Sequence, residues 1–478
     1  MKTPSATGLG ACVLILFLSL FLHACSKENT ADSRASDGSV SGITAAKPRF
    51  ATSDSAYTNW CFEWSRETFL EAYERHGRRD PKWDDTVRTA LSNYAHIRVT
   101  REPVTRQLRT DLKQAIAAGC DDPLVGYLHL RLVLHDPTRA TQEIATKFAV
   151  AARQLDAPSY PGLIRCFGHL RAAQAWRNAD TNKLPQVNQY RGLAFDRLLQ
   201  VLQRDEIPVT FAYQFCDELY RELSRSPQSC ELFRNKIEPL FMARWPDEAL
   251  AYLLKGRFYI DHAWDARGSG WARTVTDKGW KLFAQRLTSA EKALNRSWEL
   301  DPGLPGTPLE FMRLELGQGR GRERMELWFD RAIVHPGSRY DALQQKLWYL
   351  QPRWYGSERD CLEAAREILK SDEFKGNCSL HLYHLHESLA KFFEDRRPDY
   401  WLEPHVWPDI KAAFERYFFL HDTDHGWRHN YVLCAYRCRQ WVTLNEELAK
   451  LEYVNHDYFG GEEAFKHIQA EAQRHAHD

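Results

Sequence analysis

The residues best suited to chemistry cluster in one short stretch near the middle of the chain. Two carboxylates, one guanidinium and two indoles surround a Gly-Ser-Gly triplet at 268–270: Asp261, Trp264, Asp265, Arg267 and Trp271. A guanidinium can hold a carboxylate or phosphate through two parallel hydrogen bonds, and indoles supply a stacking wall. Glycines let the backbone approach a ligand closely. We therefore predict a binding loop over residues 261–271, with Arg267 as the clamp for an anionic group.

The same residues also fit a purely structural role. In that interpretation Asp265 pairs with Arg267, and the tryptophans fix an irregular loop against neighbouring helices. The two glycines do not indicate a dinucleotide site, because no strand is predicted before them and the third glycine of that motif is misplaced. Both interpretations of the loop remain open at this point.

Histidines are the other residues whose spacing invites a chemical hypothesis. The two groups are His381, His384 and His386, followed by His421, His425 and His429. The first group lacks the order His-Glu-x-x-His, and the second crosses a segment typical of an interhelical loop. We predict that these side chains are satisfied in the core or solvated. We identify no catalytic residue, no metal site and no cofactor.

Apolar residues recur at helical spacing from Trp60 onward. Leu108, Leu112 and Ala115 share one face of a helix that Gly119 ends, and the sequence Asp122-Pro123 then supplies an N-cap and a first-turn proline. No strand ladder or hairpin turn is recognisable. The pattern predicts an all-α fold.

The C-terminal half contains a repeat of paired helices. The large–small–large face at Tyr252, Gly256 and Tyr259 is typical of the first helix of a tetratricopeptide unit, and Ala290 with Asp301-Pro302 fits the second helix and its stop. The spacing between the two helices exceeds the standard unit, which predicts an inserted loop. Successive weaker pairs predict a tetratricopeptide-like α-solenoid of antiparallel helix pairs. We place an N-terminal helical domain at 57–245 and the repeat domain at 246–478.

The N-terminus predicts export and lipidation. Lys2 precedes an apolar run from Leu9 to Leu22, and Cys25 follows a small residue. This arrangement resembles the lipobox of bacterial lipoproteins, although His23 departs from the residue usual there. We predict a signal peptide at 1–24, a lipidated Cys25, and a flexible tether over 25–56 that is rich in Ser, Ala, Thr, Asp and Gly. Ser26, and not an aspartate, follows this cysteine, which by analogy with bacterial lipoproteins favours an outer-membrane destination.

Composition excludes some functional classes. Lys plus Arg and Asp plus Glu both number 64, so no net field attracts nucleic acid. The 16 tryptophans indicate helix packing or an aromatic groove. The cysteines contain no Cys-x-x-Cys pair, and we predict buried thiols.

Several motifs together resemble an uncharacterised bacterial family of tetratricopeptide-like envelope lipoproteins. They occupy 118–124, 264–271, 316–319 and 354–357, and the resemblance, strongest over about 248–355, extends to most of the mature chain. The resemblance implies a helical-repeat architecture and brings no catalytic residues.

These observations favour a membrane-anchored binding or scaffold protein of the bacterial envelope, which holds a protein or peptide partner. A glycan-binding lipoprotein, or an envelope hydrolase with its site in the Asp261–Trp271 loop, is the alternative. The oligomeric state and the identity of the partner are not encoded in any pattern that we recognise.

Overall fold

The computed structural model describes residues 55–475, apart from gaps at 101–103, 135–140, 157–159, 180–183, 205–206, 224–232, 271, 372–373, 375 and 421–424. The predicted signal peptide, Cys25, nearly all of the tether and Trp271 lie outside the described residues. Within them every regular element is a helix and none is a strand, which confirms the all-α prediction. No helix in the described ranges is long and apolar enough to span a membrane.

The α-helices follow one another with short connections. They span Ser55–Arg66, Ala72–His76, Asp84–Thr100, Arg106–Ala117, Pro123–His129, Gln142–Leu155, Gly162–Ala179, Leu184–Arg204, Val209–Leu223, Glu238–Arg244, Ala249–Arg267, Asp277–Leu300, Gly306–Gln318, Arg322–Ile333, Arg339–Tyr349, Glu358–Lys370, His381–Phe393, Val406–Leu420, His425–Arg437, Trp441–Ala449 and Glu462–Arg474. Wider π-helical turns occupy Glu67–Glu71, Leu130–Leu134 and Phe233–Ile237, and 3-10 turns occupy Ala272–Thr274, Pro336–Ser338, Gly376–Leu380, Tyr400–Leu402 and His456–Phe459.

Local signals in the sequence explain where helices begin and end. The Asp122 carboxylate accepts hydrogen bonds from the backbone N–H groups of Leu124 at 2.9 Å and Val125 at 3.2 Å, with Pro123 in the first turn. Gly119 takes a φ of 98° just after the preceding helix, as its position as a stop signal predicted. A capping box at Ser357 and Asp360 starts the helix Glu358–Lys370.

The chain divides into two compact units, and the first comprises residues 40–262 and 292–304 where described. Its core is one continuous apolar cluster that runs from Cys61 to Phe258. The helix Gly162–Ala179 packs against both Gln142–Leu155 and Leu184–Arg204, so helices that are neighbours in the sequence pack as pairs. Gly168 lets the backbone of its helix approach that of Gln142–Leu155, because a Cβ at this position would lie only 3.2 Å from Cα of Ala152.

The two helices that carry Gly256 and Ala290 are longer than those of the predicted repeat unit. In the first unit, Ser297 Oγ donates a hydrogen bond to the carbonyl of Ala249 at 2.9 Å, and the second helix ends at Leu300 as Asp301-Pro302 predicted. The prediction of a loop from residue 261 is wrong, because helix continues to Arg267. No glycine or proline lies between Asp261 and Arg267, and Gly268, which follows the helix, has a φ of 74°. Most of the additional residues between Gly256 and Ala290 therefore extend the two helices, and residues 268–276 connect them.

The second unit comprises residues 263–291 and 305–478 where described. Its helices Gly306–Gln318 and Arg322–Ile333 pack as a pair around a turn in which Gly319 has a φ of 63°. The Glu315 carboxylate is fully buried there and accepts hydrogen bonds from Arg320 and Arg324 at 2.8 and 3.0 Å. This glycine-rich turn is thus fixed by an internal ion-pair network.

The cysteines and histidines of the described residues lie mainly in the core. The eight cysteines at 61, 120, 166, 216, 361, 378, 434 and 438 are buried free thiols, as predicted. His381 and His386 are buried, and burial lowers the pKa of His381 to about 3 and that of His384 to about 4. They therefore stay neutral near pH 7, which agrees with the prediction of core histidines.

We predict that Gly168→Leu lowers the free energy of unfolding by about 1–3 kcal/mol, since overpacking forces the two helices apart. The matched control is Gly192→Leu, because a Cβ at Gly192 meets no atom within 4 Å and the site is an exposed helix position. That variant should be neutral or more stable, since leucine has the higher helix propensity. Urea denaturation followed by circular dichroism measures both. Equal effects of the two substitutions would contradict the close packing at Gly168.

Candidate functional site

A cavity of about 380 Å³ lies within the first unit. Three segments that are distant in the sequence form its walls. The helix Asp84–Thr100 contributes Tyr94, Ile97 and Arg98, and the turn Leu130–Leu134 contributes Arg131 and Leu132. The helix Val209–Leu223 contributes Tyr213, Gln214, Asp217 and Glu218. Val104 completes the wall. The cavity thus combines aromatic rings, two guanidinium groups and two carboxylates.

A π-helical turn positions Arg131. The helix Pro123–His129 passes directly into the wider turn Leu130–Leu134, which shifts the side chains that follow relative to the regular helical stripe. Arg131 is half-buried and its Nη1 donates a hydrogen bond to the hydroxyl of Tyr94 at 2.9 Å. No carboxylate of the described residues lies within ion-pair distance of this guanidinium. The wall therefore presents a positive charge held by a neutral partner.

Arg98 is a second guanidinium without a carboxylate partner among the described residues. Its Cζ lies 4.9 Å from the centre of the Phe167 ring, and its buried Nε has no hydrogen-bond acceptor in the described structure. A cation over an aromatic face is stabilised only modestly. Arg98 thus lines the cavity without an ion pair among the described residues.

Two carboxylates of the wall are already paired with arginines from other helices. Arg171 binds Glu218 at 2.6 Å, and Arg257 binds Asp217 at 2.7 Å. Together with Arg98 and Arg131, four guanidinium groups face two carboxylates, so these side chains carry an excess of two positive charges. Burial, reinforced by the charge of Arg131, lowers the pKa of Arg171 below its usual value. At the cavity wall, burial opposes the charge of Arg131, but the nearby Tyr94, Tyr127 and Glu218 outweigh burial and raise the pKa of Arg131 above its usual value.

The predicted binding residues lie elsewhere, on the helix that ends at Arg267. Asp261 is half-buried within the first unit, whereas Asp265 is exposed at the edge of the second. In the second unit the Arg267 guanidinium donates hydrogen bonds to the carbonyls of Gly268 at 3.2 Å and Gly270 at 3.1 Å. Trp271 falls outside the described residues.

Three indoles surround Arg267. Its Cζ lies 5.5 Å from the ring centre of Trp264, 5.6 Å from that of Trp280 and 6.0 Å from that of Trp354. Sequence analysis did not place Trp280 and Trp354 beside Arg267, since they are 13 and 87 residues away in the sequence. These contacts are those of a residue that fixes the start of the connection 268–276. The role of Arg267 in binding stays a prediction.

The cavity residues were missed in the sequence because they come from separate helices. One local signal was present: Arg131 interrupts the apolar run Leu130–Leu134, where a charged side chain needs a specific reason. Arg98 and Arg171 occupy ordinary helix positions and give no such signal. Only the folded arrangement brings these guanidinium groups to one cavity.

Comparisons with known proteins add no family. No family model matches the chain, and no curated protein is significantly similar to it.

We predict that Arg267→Ala lowers the free energy of unfolding by about 1–3 kcal/mol, because it removes the contacts with three indoles and two carbonyls. The exposed Arg273 of the same connection provides the matched control, and Arg273→Ala should change stability by less than about 0.5 kcal/mol. Thermal denaturation followed by tryptophan fluorescence measures both. If Arg267→Ala leaves stability unchanged but abolishes partner binding, Arg267 is the anionic-group clamp that the sequence predicted.

Proposed function

We propose that this protein is a lipid-anchored binding protein of the bacterial envelope that takes an acidic group of a protein or peptide partner into the arginine-lined cavity. The observation that carries the proposal is the pair Arg98 and Arg131, which face a 380 Å³ cavity without carboxylate partners among the described residues. Charge-assisted hydrogen bonds to such guanidinium groups contribute about 1.5–3 kcal/mol each. Two of them suffice for a selective contact with one acidic side chain.

The size and lining of the cavity support a peptide side chain as the occupant. A volume of about 380 Å³ is at the lower end of the range for small-molecule pockets. Tyr94, Ile97 and Leu132 would pack against the aliphatic part of a glutamate or aspartate, and the guanidinium groups would bind its carboxylate. The rest of an extended partner would lie on the surrounding helices, as in other helical-repeat proteins.

Binding is favoured over hydrolysis by the chemistry of the wall. The ten residues that line the cavity include no serine, cysteine or histidine, and its two carboxylates are held in ion pairs. The wall therefore offers neither carboxylate a serine or cysteine nucleophile to activate. We therefore keep the envelope hydrolase and the glycan-binding lipoprotein as alternatives without a supporting contact in the described structure.

The anchor belongs to the same proposal. A tether of roughly 30 residues between Cys25 and the folded body has a root-mean-square span of about 30 Å as a flexible coil. Such a tether would keep the binding body close to the membrane while leaving it free to turn. In this proposal the helix pairs stack as a tetratricopeptide-like solenoid, which gives an extended partner a continuous surface.

Lipidation is tested on the protein purified from the membrane fraction. Intact-mass spectrometry is expected to show a mature chain that begins at a lipid-modified Cys25. Cys25→Ala should carry no lipid mass, because it lacks the thiol that is acylated. Release of an unmodified chain from the wild-type membrane, or cleavage at another residue, would refute the anchor and leave the binding proposal intact.

Ligand class is tested with two labelled libraries of extended peptides that differ only in glutamate versus glutamine. Fluorescence anisotropy should show tighter binding of the glutamate library, weakened by salt. Arg131→Gln should lower that affinity at least tenfold, whereas Arg109→Gln, an exposed arginine on a neighbouring helix, should not change it. Equal affinity for both libraries, or no effect of Arg131→Gln in a folded protein, would contradict the proposal. A thermal shift with oligosaccharides alone would favour the glycan-binding alternative.

A further inference from the structure

Three potential metal ligands meet in the second unit. Glu358 begins the helix Glu358–Lys370, while Glu403 and His405 follow the turn Tyr400–Leu402. One ligand atom from each lies within 4.8 Å of the other two. Their side chains are about a quarter to a third exposed, at 26%, 27% and 32%.

Two of the ligand atoms are buried and lack hydrogen-bond partners. These are Oε1 of Glu358 and Nε2 of His405, which lie 3.9 Å apart. Buried polar atoms in folded proteins nearly always have a partner, so the pair requires an explanation. A separation of 3.9 Å is too long for a hydrogen bond. Two ligands of one zinc ion lie about 3.3–3.6 Å apart, since zinc–ligand distances are about 2.0–2.2 Å in a tetrahedral site.

Arg397 holds the two carboxylates in position. Its Nη1 donates a hydrogen bond to Oε2 of Glu358 at 2.7 Å, and its Nε donates to Oε1 of Glu403 at 2.7 Å, with Nη2 bonded to the other Glu403 oxygen. The guanidinium also lies over the Phe393 ring at 4.4 Å, which fixes it from the other side. Oε1 of Glu358 is thereby left for another partner.

The local charge favours a cation. Two carboxylates and one guanidinium leave one net negative charge beside the imidazole of His405. Arg397 weakens the attraction for a divalent ion but does not cancel it. Each bound carboxylate oxygen keeps a second lone pair, so hydrogen bonding to Arg397 does not prevent coordination.

The neighbouring His386 packs beside the cluster and is not a candidate metal ligand. The two nitrogens of His386 lie 2.8 Å from the Tyr400 hydroxyl and 3.1 Å from an Asp409 oxygen, so both are occupied. The Asp409 carboxylate also accepts a bidentate contact from Arg366 at 2.9 and 2.7 Å. This network fixes the turn that carries Glu403 and His405.

We propose that Glu358, Glu403 and His405 bind a zinc ion. One imidazole and two carboxylates are the mixed nitrogen–oxygen set that zinc accepts, and they leave a fourth position open to water or a ligand. The ion would join the start of the helix Glu358–Lys370 to the segment 403–405. This site departs from the sequence-based expectation of no metal, because its first ligand is 45 residues from the second. It is independent of the peptide-binding proposal, since its residues belong to the other unit.

The test uses the full mature chain, stripped of metal with a chelator and titrated with zinc sulfate by calorimetry. We expect one zinc ion per chain at this site and a rise in the melting temperature. His405→Gln should lower the zinc affinity at least tenfold, whereas His467→Gln, an exposed histidine on another helix, should not. His405→Gln removes no hydrogen bond from Arg397, so it should remain folded. Unchanged zinc affinity in folded His405→Gln, or no zinc binding by the wild-type chain, would overturn the proposal.

A spectroscopic measurement tests the ligand set without substitution. Cobalt in place of zinc should give visible bands of a nitrogen–oxygen site and no thiolate charge-transfer band, because no cysteine is among the proposed ligands. A thiolate band would assign the bound ion to cysteines and would refute this site.

A second pair of variants tests the carboxylate ligand. Glu358→Gln should lower cobalt affinity at least tenfold, whereas Glu363→Gln, on the exposed face of the same helix, should not.

Discussion

The permanent charge of arginine is the constraint on which much of this structure depends. A guanidinium cannot lose its proton in a protein, so each one that packs between helices needs an acceptor or an aromatic face. Glu315 is such an acceptor, since it is fully buried and accepts hydrogen bonds from both Arg320 and Arg324. Asp409 is another, since it binds Arg366. These pairs specify which helix faces meet, although their desolvation makes their net contribution to stability small.

In the proposed functional regions, the guanidinium groups make contacts other than a simple ion pair between two helices. Arg267 uses three indoles and two backbone carbonyls, and this arrangement fixes the connection between two long helices. Arg98 and Arg131 rely on a phenylalanine ring and a tyrosine hydroxyl, and both face the cavity. Arg397 satisfies two carboxylates but leaves Oε1 of Glu358 without a partner.

The sequence predicted local features well, because they depend on residues that are adjacent in the chain. Asp122-Pro123 and Ser357 begin helices, and Gly119 takes positive φ after one, all as predicted. The segment 261–267 was misjudged because a long interval between repeat positions was interpreted as a loop, although no glycine or proline lies between Asp261 and Arg267. Neither the cavity nor the carboxylate–histidine cluster could be predicted. Their residues come from segments many tens of residues apart, and a single sequence contains no signal that pairs them.

The arginine-lined cavity is difficult to explain by stability alone. Apolar residues of similar volume often replace buried ion pairs with no loss of stability or with a gain, so Arg171–Glu218 and Arg257–Asp217 do not make the fold possible. Two further guanidinium groups, Arg98 and Arg131, line the same cavity without an ion pair among the described residues, and partial burial of such groups costs desolvation energy. A local arrangement that opposes folding is expected mainly where binding compensates for it. An acidic ligand would do so directly, because its charge would offset the excess that the four guanidinium groups create.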